Sequence, residues 1–384
     1  MDHRIKYYPV GNGDTSLISL SDNTKIIIDL NVTVDSEDDS DESRYDVKED
    51  LLSELNTDGD IPFTDVHVLT HPDNDHCRGF EKTFYTGDPH DYSDTHLEEG
   101  LIRIDELWFS PRIFTEYQKD LSDDAKAFRK EAERRIDLHK SDNSKKDEPG
   151  NRIKIIGYSN DSELNGLEQL IVIPGNIIDI INGSQKSDFS FFVHAPFRDD
   201  TDNNEERNDT SVVMQAKFDV LDTQNAGLAM FGGDAGALIW EKIYEKSDDE
   251  DLEFDLFLAP HHCSWKFFNT TSHSDGSEPV ESSTTILDKH REGATVISSS
   301  RPFESYDDDL PPHLKARKYY KETVSGGFLV TSEEPSKDKP LPIEFRITLN
   351  GPQRIDSKSS SSASKSGLVT AAVGKPKTYG RKSV

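Results

Sequence analysis

The sequence predicts an α/β fold whose short apolar strands deliver polar side chains to one edge, and three observations carry that reading. Strand-like apolar runs alternate with helical segments along the chain. Three of those runs stop at His/Asp clusters. Residues 66–70 lead into His71-Pro-Asp73-Asn-Asp75-His76, 227–231 into Gly232-Gly233-Asp234, and 254–259 into Pro260-His261-His262. The carboxyl ends of strands are also where α/β sheets place their sites.

In chain order, residues 5–10 read as a strand, followed by the turn Gly11-Asn-Gly-Asp14 and strands at 16–21 and 25–30. Lys25-Ile-Ile-Ile28-Asp29 is a buried-strand pattern ending in a carboxylate. Residues 34–50 are dominated by Asp, Glu and Ser and read as an acidic, solvated insertion, with a helical turn over 51–56. A strand is expected at 107–109. A helical insertion follows over 112–150: a long charged helix to 140 with a thin apolar stripe, then a loop. The second half reads as strands at 189–195, 211–218 and 227–231, a helix at 235–246 and a strand at 254–259. Helices at 280–291 and 312–322 flank a strand at 294–300, and strands at 327–331 and 342–348 close the domain, which spans 1–350. Residues 351–384 are Ser/Lys-rich without apolar periodicity and read as a disordered tail. The tail's net +6 leaves the rest of the chain at −36, against −30 for the whole.

That charge repels polyanions and disfavours broad duplex binding. A hydrophobic fraction of 33% beside 31% charged residues suits a packed core with polar insertions. Two cysteines in 384 residues make no disulfide framework, which points to a reducing, cytoplasmic setting. No run of 18 apolar residues exists, so no membrane partner is expected.

Imidazole and carboxylate are ligands that suit zinc, manganese and iron, and His/Asp clusters at three strand ends mark a metal site. Thr70-His71-Pro-Asp73-Asn-Asp75-His76-Cys-Arg-Gly79 resembles the His-x-His-x-Asp-His signature of metallo-β-lactamase-fold proteins. Val10-Gly-Asn-Gly13-Asp14, Ile28-Asp29, Asn208-Asp-Thr-Ser211, Gly233-Asp234 and Pro260-His261-His262 agree with it in order. Together they look most like the hydrolase domain of bacterial DNA-uptake competence proteins, over about residues 4–331.

The resemblance implies a four-layer αββα sandwich with one or two metal ions, Zn2+ or alternatively Mn2+ or Fe2+, at one edge. It implies His71 and Asp73 on a first ion, Asp75, His76 and His261 on a second, and Asp234 bridging. Asp29 would orient a ligand from behind. A water between the metals would attack as hydroxide, Asp75 or a nearby carboxylate would move its proton, and His262 would contact substrate or protonate the leaving group, a loop-capping role being its alternative. Two departures stand out. Asp73 replaces the signature's second His, which favours harder metals, and the family's additional His is missing unless the strand residue His194 supplies it. Cys77 and Cys263 read as packing residues beside the ligands, Arg78 and Lys266 as candidate cations for an anionic substrate, and His313 as a candidate substrate contact.

The expected function is a metal-dependent hydrolase, first a phosphodiesterase or nuclease acting on single-stranded nucleic acid or small nucleotides. A hydrolase of a lactone, amide or thioester, and a non-catalytic binding module that kept the fold, are the alternatives. A small anionic substrate and a protein partner in a bacterial multi-protein system are the partners this reading anticipates.

Overall fold

Two facing sheets hold the molecule together, and residue alternation within their strands explains how. The computed structural model describes residues 2–33, 44–115, 121–157, 164–198 and 208–355. In strand Lys25–Ile28, Ile26 and Ile28 face the second sheet while Ile27 points the other way, under the outer helices. Strand Phe254–Leu258 mirrors it, with Leu256 and Leu258 inward and Phe254 and Phe257 outward. Strands apolar on both faces must be covered on both.

The first sheet runs Ile171–Val172, Arg152–Ile156, Ile102–Phe109, Ile61–Leu69, Lys25–Ile28, Ser16–Ser19, Arg4–Tyr7, Ile343–Thr348, Gly351–Ile355. The second runs Ile177–Ile178, Phe189–Ala195, Val213–Val220, Thr223–Phe231, Phe254–Leu258, His290–Ser298, Gly327–Val330. Helices Val47–Glu54 and Asp123–Lys140 cover the first sheet through Val47, Leu51, Phe128 and Ile136. Helices Ala237–Lys246, Glu281–Leu287 and Leu314–Thr323 cover the second through Trp240, Ile243, Ile286 and Tyr320. The architecture is therefore the four-layer αββα sandwich that the sequence reading expected.

Each half contains a block of parallel strands. Lys25–Ile28, Ile61–Leu69, Ile102–Phe109 and Arg152–Ile156 are parallel in the first sheet. Thr223–Phe231, Phe254–Leu258, His290–Ser298 and Gly327–Val330 are parallel in the second. Parallel strands bring their carboxyl ends to a common edge, so Asp29, His71–His76, Asp234 and His261–His262 gather there.

Several local expectations change. The helix expected over 112–140 is two, Arg112–Thr115 and Asp123–Lys140, with 116–120 outside the described residues. The longer one is less solvated than its sequence suggests. Glu131 and Arg135 are buried beside its apolar stripe, and Glu131 accepts from Arg134 and Arg135, whose Nη2 donates to the Ile104 carbonyl. Of the acidic insertion 34–50, residues 34–43 lie outside the described residues. The rest contains the start of helix Val47–Glu54, whose first turn Asp46 caps by accepting from the Glu49 N–H. The last strand, Gly351–Ile355, pairs with Ile343–Thr348 beyond the expected boundary at 350, and 356–384 lie outside the described residues.

Candidate metal centre

Asp29 leaves the end of its strand with φ of 56°, a left-handed conformation unusual for a residue with a side chain. The turn places its carboxylate beneath the site. Oδ1 accepts from the Thr70 N–H at 2.8 Å, and Oδ2 from the Thr70 hydroxyl at 2.7 Å and from His76 Nδ1 at 2.8 Å. His76 is thereby held with its proton on Nδ1 and Nε2 turned toward Asp234, whose Oδ1 lies 3.1 Å away. A carboxylate behind a histidine in this way fixes tautomer and ring orientation for a ligand.

Asp234 follows Gly233, whose φ of 48° turns the chain sharply. Its N–H donates to Ser211 Oγ at 3.2 Å, and the side chain is 3% exposed. The next contributor is the turn Pro260–Cys263. His261, His262 and Cys263 all have positive φ, 51°, 54° and 65°. Non-glycine residues in this region cost about 1–2 kcal/mol each. The strained turn splays the two histidines: Nε2 of His261 lies 3.6 Å from Asp234 Oδ2, and Nε2 of His262 lies 3.6 Å from Asp234 Oδ1.

Two donor groups thus flank one carboxylate. Near Oδ2 stand His71 Nε2 at 3.7 Å and His261, with Asp73 Oδ2 3.7 Å from the same His71 nitrogen. Near Oδ1 stand His76 and His262, with Asp75 Oδ2 3.2 Å from His262 Nε2. Asp14 belongs to the second group. One donor atom each from Asp14, His76, Asp234 and His262 lies within 4.8 Å of the others, and all four residues are buried.

The six residues expected as ligands, His71, Asp73, Asp75, His76, Asp234 and His261, therefore converge. The histidine pair is placed the other way round from expectation. His261 stands with His71 and Asp73, and His262, expected at the substrate, stands in the buried group with Asp75 and His76. Asp14 went unassigned because its glycine-rich surroundings read only as a turn. Gly13 is indeed needed there: a Cβ on it would lie 2.0 Å from Asn31 Nδ2 and 2.6 Å from the Asp75 carbonyl. His194 is not in the centre. It is buried in strand Phe189–Ala195, with Nδ1 3.1 Å from Ser247 Oγ.

The residues fit a cation. Nε2 of His71, His76 and His262, Asp234 Oδ1 and Asp14 Oδ1 are buried without a hydrogen-bond partner. Each such atom costs about 1–3 kcal/mol when left unmet, and four of them, from Asp14, His76, Asp234 and His262, share one point that suits a positively charged ligand. Side-chain electrostatics agree. Burial alone would lower His76 and His262, but Asp234 and Asp29 raise His76 well above the ordinary histidine value, and Asp234, Asp14 and Asp75 push His262 up to about 10. Asp234 is buried, which would raise it, yet His261, His76 and His262 hold it well below the carboxylate range. Burial and its neighbour His76 keep His71 low. Asp75 is also held low, because its ion pair with His262 and the nearby His76 outweigh its burial.

Around the centre, burial pushes the Cys77 thiol up to about 12 and raises Cys263 as well, so both are packing residues rather than thiolates. His313 is buried and accepts from the Trp265 N–H through Nδ1, with its ring centroid 4.3 Å from that of His273. No helix among the described residues is long and apolar enough to cross a membrane.

No protein-family model matches the chain, and no curated protein matches it significantly. Among solved structures it is similar to the metallo-β-lactamase fold protein YhfI from Bacillus subtilis. The two are 10% identical, the match covers 88% of this chain and 98% of that one, and the TM-score is 0.37.

Proposed function

We propose that this protein is a metal-dependent hydrolase, and that its substrate is a phosphodiester in single-stranded nucleic acid or a small nucleotide. The observation that carries the reading is the convergence of buried imidazole and carboxylate atoms from Asp14, His76, Asp234 and His262. His71, Asp73 and His261 would hold a divalent cation on one side, and Asp14, Asp75, His76 and His262 on the other, with Asp234 shared. A bound Zn2+ or Mn2+ supplies Lewis acidity, making a nucleophile from water near neutral pH and stabilising negative charge on the substrate.

The chain's own residues do the rest. Asp29 holds His76 in the tautomer that offers Nε2. Asp75, whose side chain is 32% exposed, is the partly accessible carboxylate beside His262 that would take up a proton. Lys266, exposed beside His261, suits an anionic substrate. The oxygen-rich donor set and the competence-type motif support the phosphodiester, and the acidic body supports single strands or small molecules over duplex.

Hydrolysis of bis(p-nitrophenyl) phosphate tests the reading, with zinc and manganese each supplied to wild type and Asp75→Ala. Turnover in wild type reduced about 100-fold or more in the variant is the expected result. Silence in folded, metal-loaded wild type would reject the phosphodiesterase and leave lactone, amide or thioester hydrolysis, or binding alone.

A further inference from the structure

The inner donor set, Asp14, His76, Asp234 and His262, draws on both sheets, and Asp14 reaches it from a turn rather than a strand end. Asp14 Oδ1 is buried without a hydrogen-bond partner, and His262 Nδ1 lies 3.7 Å away. Asp75 Oδ2 and Asp234 Oδ1 face the same histidine, so like charges crowd the carboxylate. The local backbone is a weak restraint against that repulsion. Asp14 follows Gly11-Asn12-Gly13, and the two glycines have φ of 74° and 143°, a freedom that side chains would remove.

The turn is held from outside. From its own sheet, Asn31 Nδ2 donates to the Val10 and Asn12 carbonyls at 3.2 and 3.0 Å. From the opposite sheet, Ser299 Oγ donates to the Gly13 carbonyl at 2.6 Å. A further tie across the sandwich is the side chain of Asn12, and both ends of its amide are used. Oδ1 accepts from the Arg301 N–H at 3.0 Å, and Nδ2 donates to the Pro311 carbonyl at 2.8 Å. Arg301 follows strand His290–Ser298, the neighbour of the strand that leads into His262. The far end of the tie is itself braced. Arg301 Nη2 donates to both Asp308 carboxylate oxygens at 2.9 and 2.8 Å, and Nε donates to the Pro311 carbonyl at 3.2 Å.

Building on the metal-dependent reading, we propose that Asn12 is a positioning residue for the inner ion, its amide joining the Asp14 turn to Arg301 and Pro311. That bond pair holds the Asp14 carboxylate beside His262, against the repulsion of Asp75 and Asp234. With the tie cut, Asp14 swings away from the other carboxylates and the inner set loses a ligand. His71, Asp73 and His261, on the other side of Asp234, make no contact with the turn and keep their arrangement.

Zinc titration of the metal-free full-length chain against a chelator, in wild type, Asp14→Asn, Asn12→Ala and the double variant, tests this. The inner ion is the one that Asp14→Asn weakens. Asn12→Ala should weaken the same ion at least about tenfold and leave the metal-free circular dichroism unchanged. In the Asp14→Asn background its effect should shrink below about threefold, because nothing is left to position. A merely structural role would subtract its full effect in both backgrounds. Arg301→Gln, which removes the brace on Pro311, should weaken the same ion in the same Asp14-dependent way, and serves where Asn12→Ala does not fold. Unchanged affinity, equal weakening of every ion, additive effects, or an Asp14→Asn that weakens no ion would overturn the inference and leave the metal-dependent reading standing. Absence of any bound zinc in wild type would overturn both.

Discussion

Asp29 is the residue on which the geometry of the inner donor set turns. It accepts from the Thr70 N–H, the Thr70 hydroxyl and His76 Nδ1, so it fixes both the strand end and the ligand. Asp29→Asn keeps the size but replaces one acceptor oxygen with a donor, which confronts His76 or Thr70 with the wrong partner. Zinc affinity measured by chelator competition should fall about 10- to 100-fold with the fold retained, and an unchanged affinity would remove Asp29 from the account. Most of the centre is legible in the sequence at this scale, because its ligands come in contiguous motifs. His71, Asp73, Asp75 and His76 occupy a single loop, and Asp234 and His261 each follow an apolar strand. What the sequence does not reveal is which of His261 and His262 joins which donor group. That depends on three consecutive residues adopting positive φ, a conformation that no residue type in His-His-Cys announces. Asp14 is hidden for a related reason, since a carboxylate in a glycine-rich turn has a sufficient local explanation.

At the scale of elements, strand ends set the site and glycines permit the turns that aim it. Gly233 has φ of 48°, and a Cβ there would lie 3.0 Å from Ser211 Cβ and 3.1 Å from Thr70 Oγ1. Both neighbours hold site residues, Ser211 through the Asp234 N–H and Thr70 through Asp29. Gly233→Ala should therefore lower unfolding free energy by about 1–2 kcal/mol in a urea titration and weaken metal binding as Asp234 shifts. Loss of stability without weaker binding would separate the turn from the site. Strands such as Phe189–Ala195 are legible from their concentration of Phe and Val. Arg152–Ile156 was missed because Lys154 interrupts it. In the fold Lys154 sits over the Trp108 ring at 5.3 Å, with Glu106 3.5 Å away, so an apparent surface residue covers a buried strand. The helix Asp123–Lys140 hid its depth in the same way, through the buried Glu131–Arg135 pair.

For the whole molecule, the sandwich brings groups from both sheets into one buried, negatively charged site. The layer order followed from the motif resemblance. The strand order did not, because which parallel strands neighbour each other depends on long-range packing that no local pattern encodes. The central claim is that this site holds a divalent cation in place of protons. In the metal-free protein His262 is raised from 6.5 to about 10, so its contribution to stability is complete below about pH 6.5 and is lost as pH rises toward 10. Zinc needs that imidazole deprotonated, so its binding strengthens over the same interval and adds stability with it. The most direct measurement is the melting temperature of metal-free and zinc-loaded protein from about pH 6 to about pH 8.5. The metal-free Tm should fall with pH and the stabilisation by zinc should widen. A zinc effect that is absent, or that is the same at every pH, would contradict a metal centre built from these histidines.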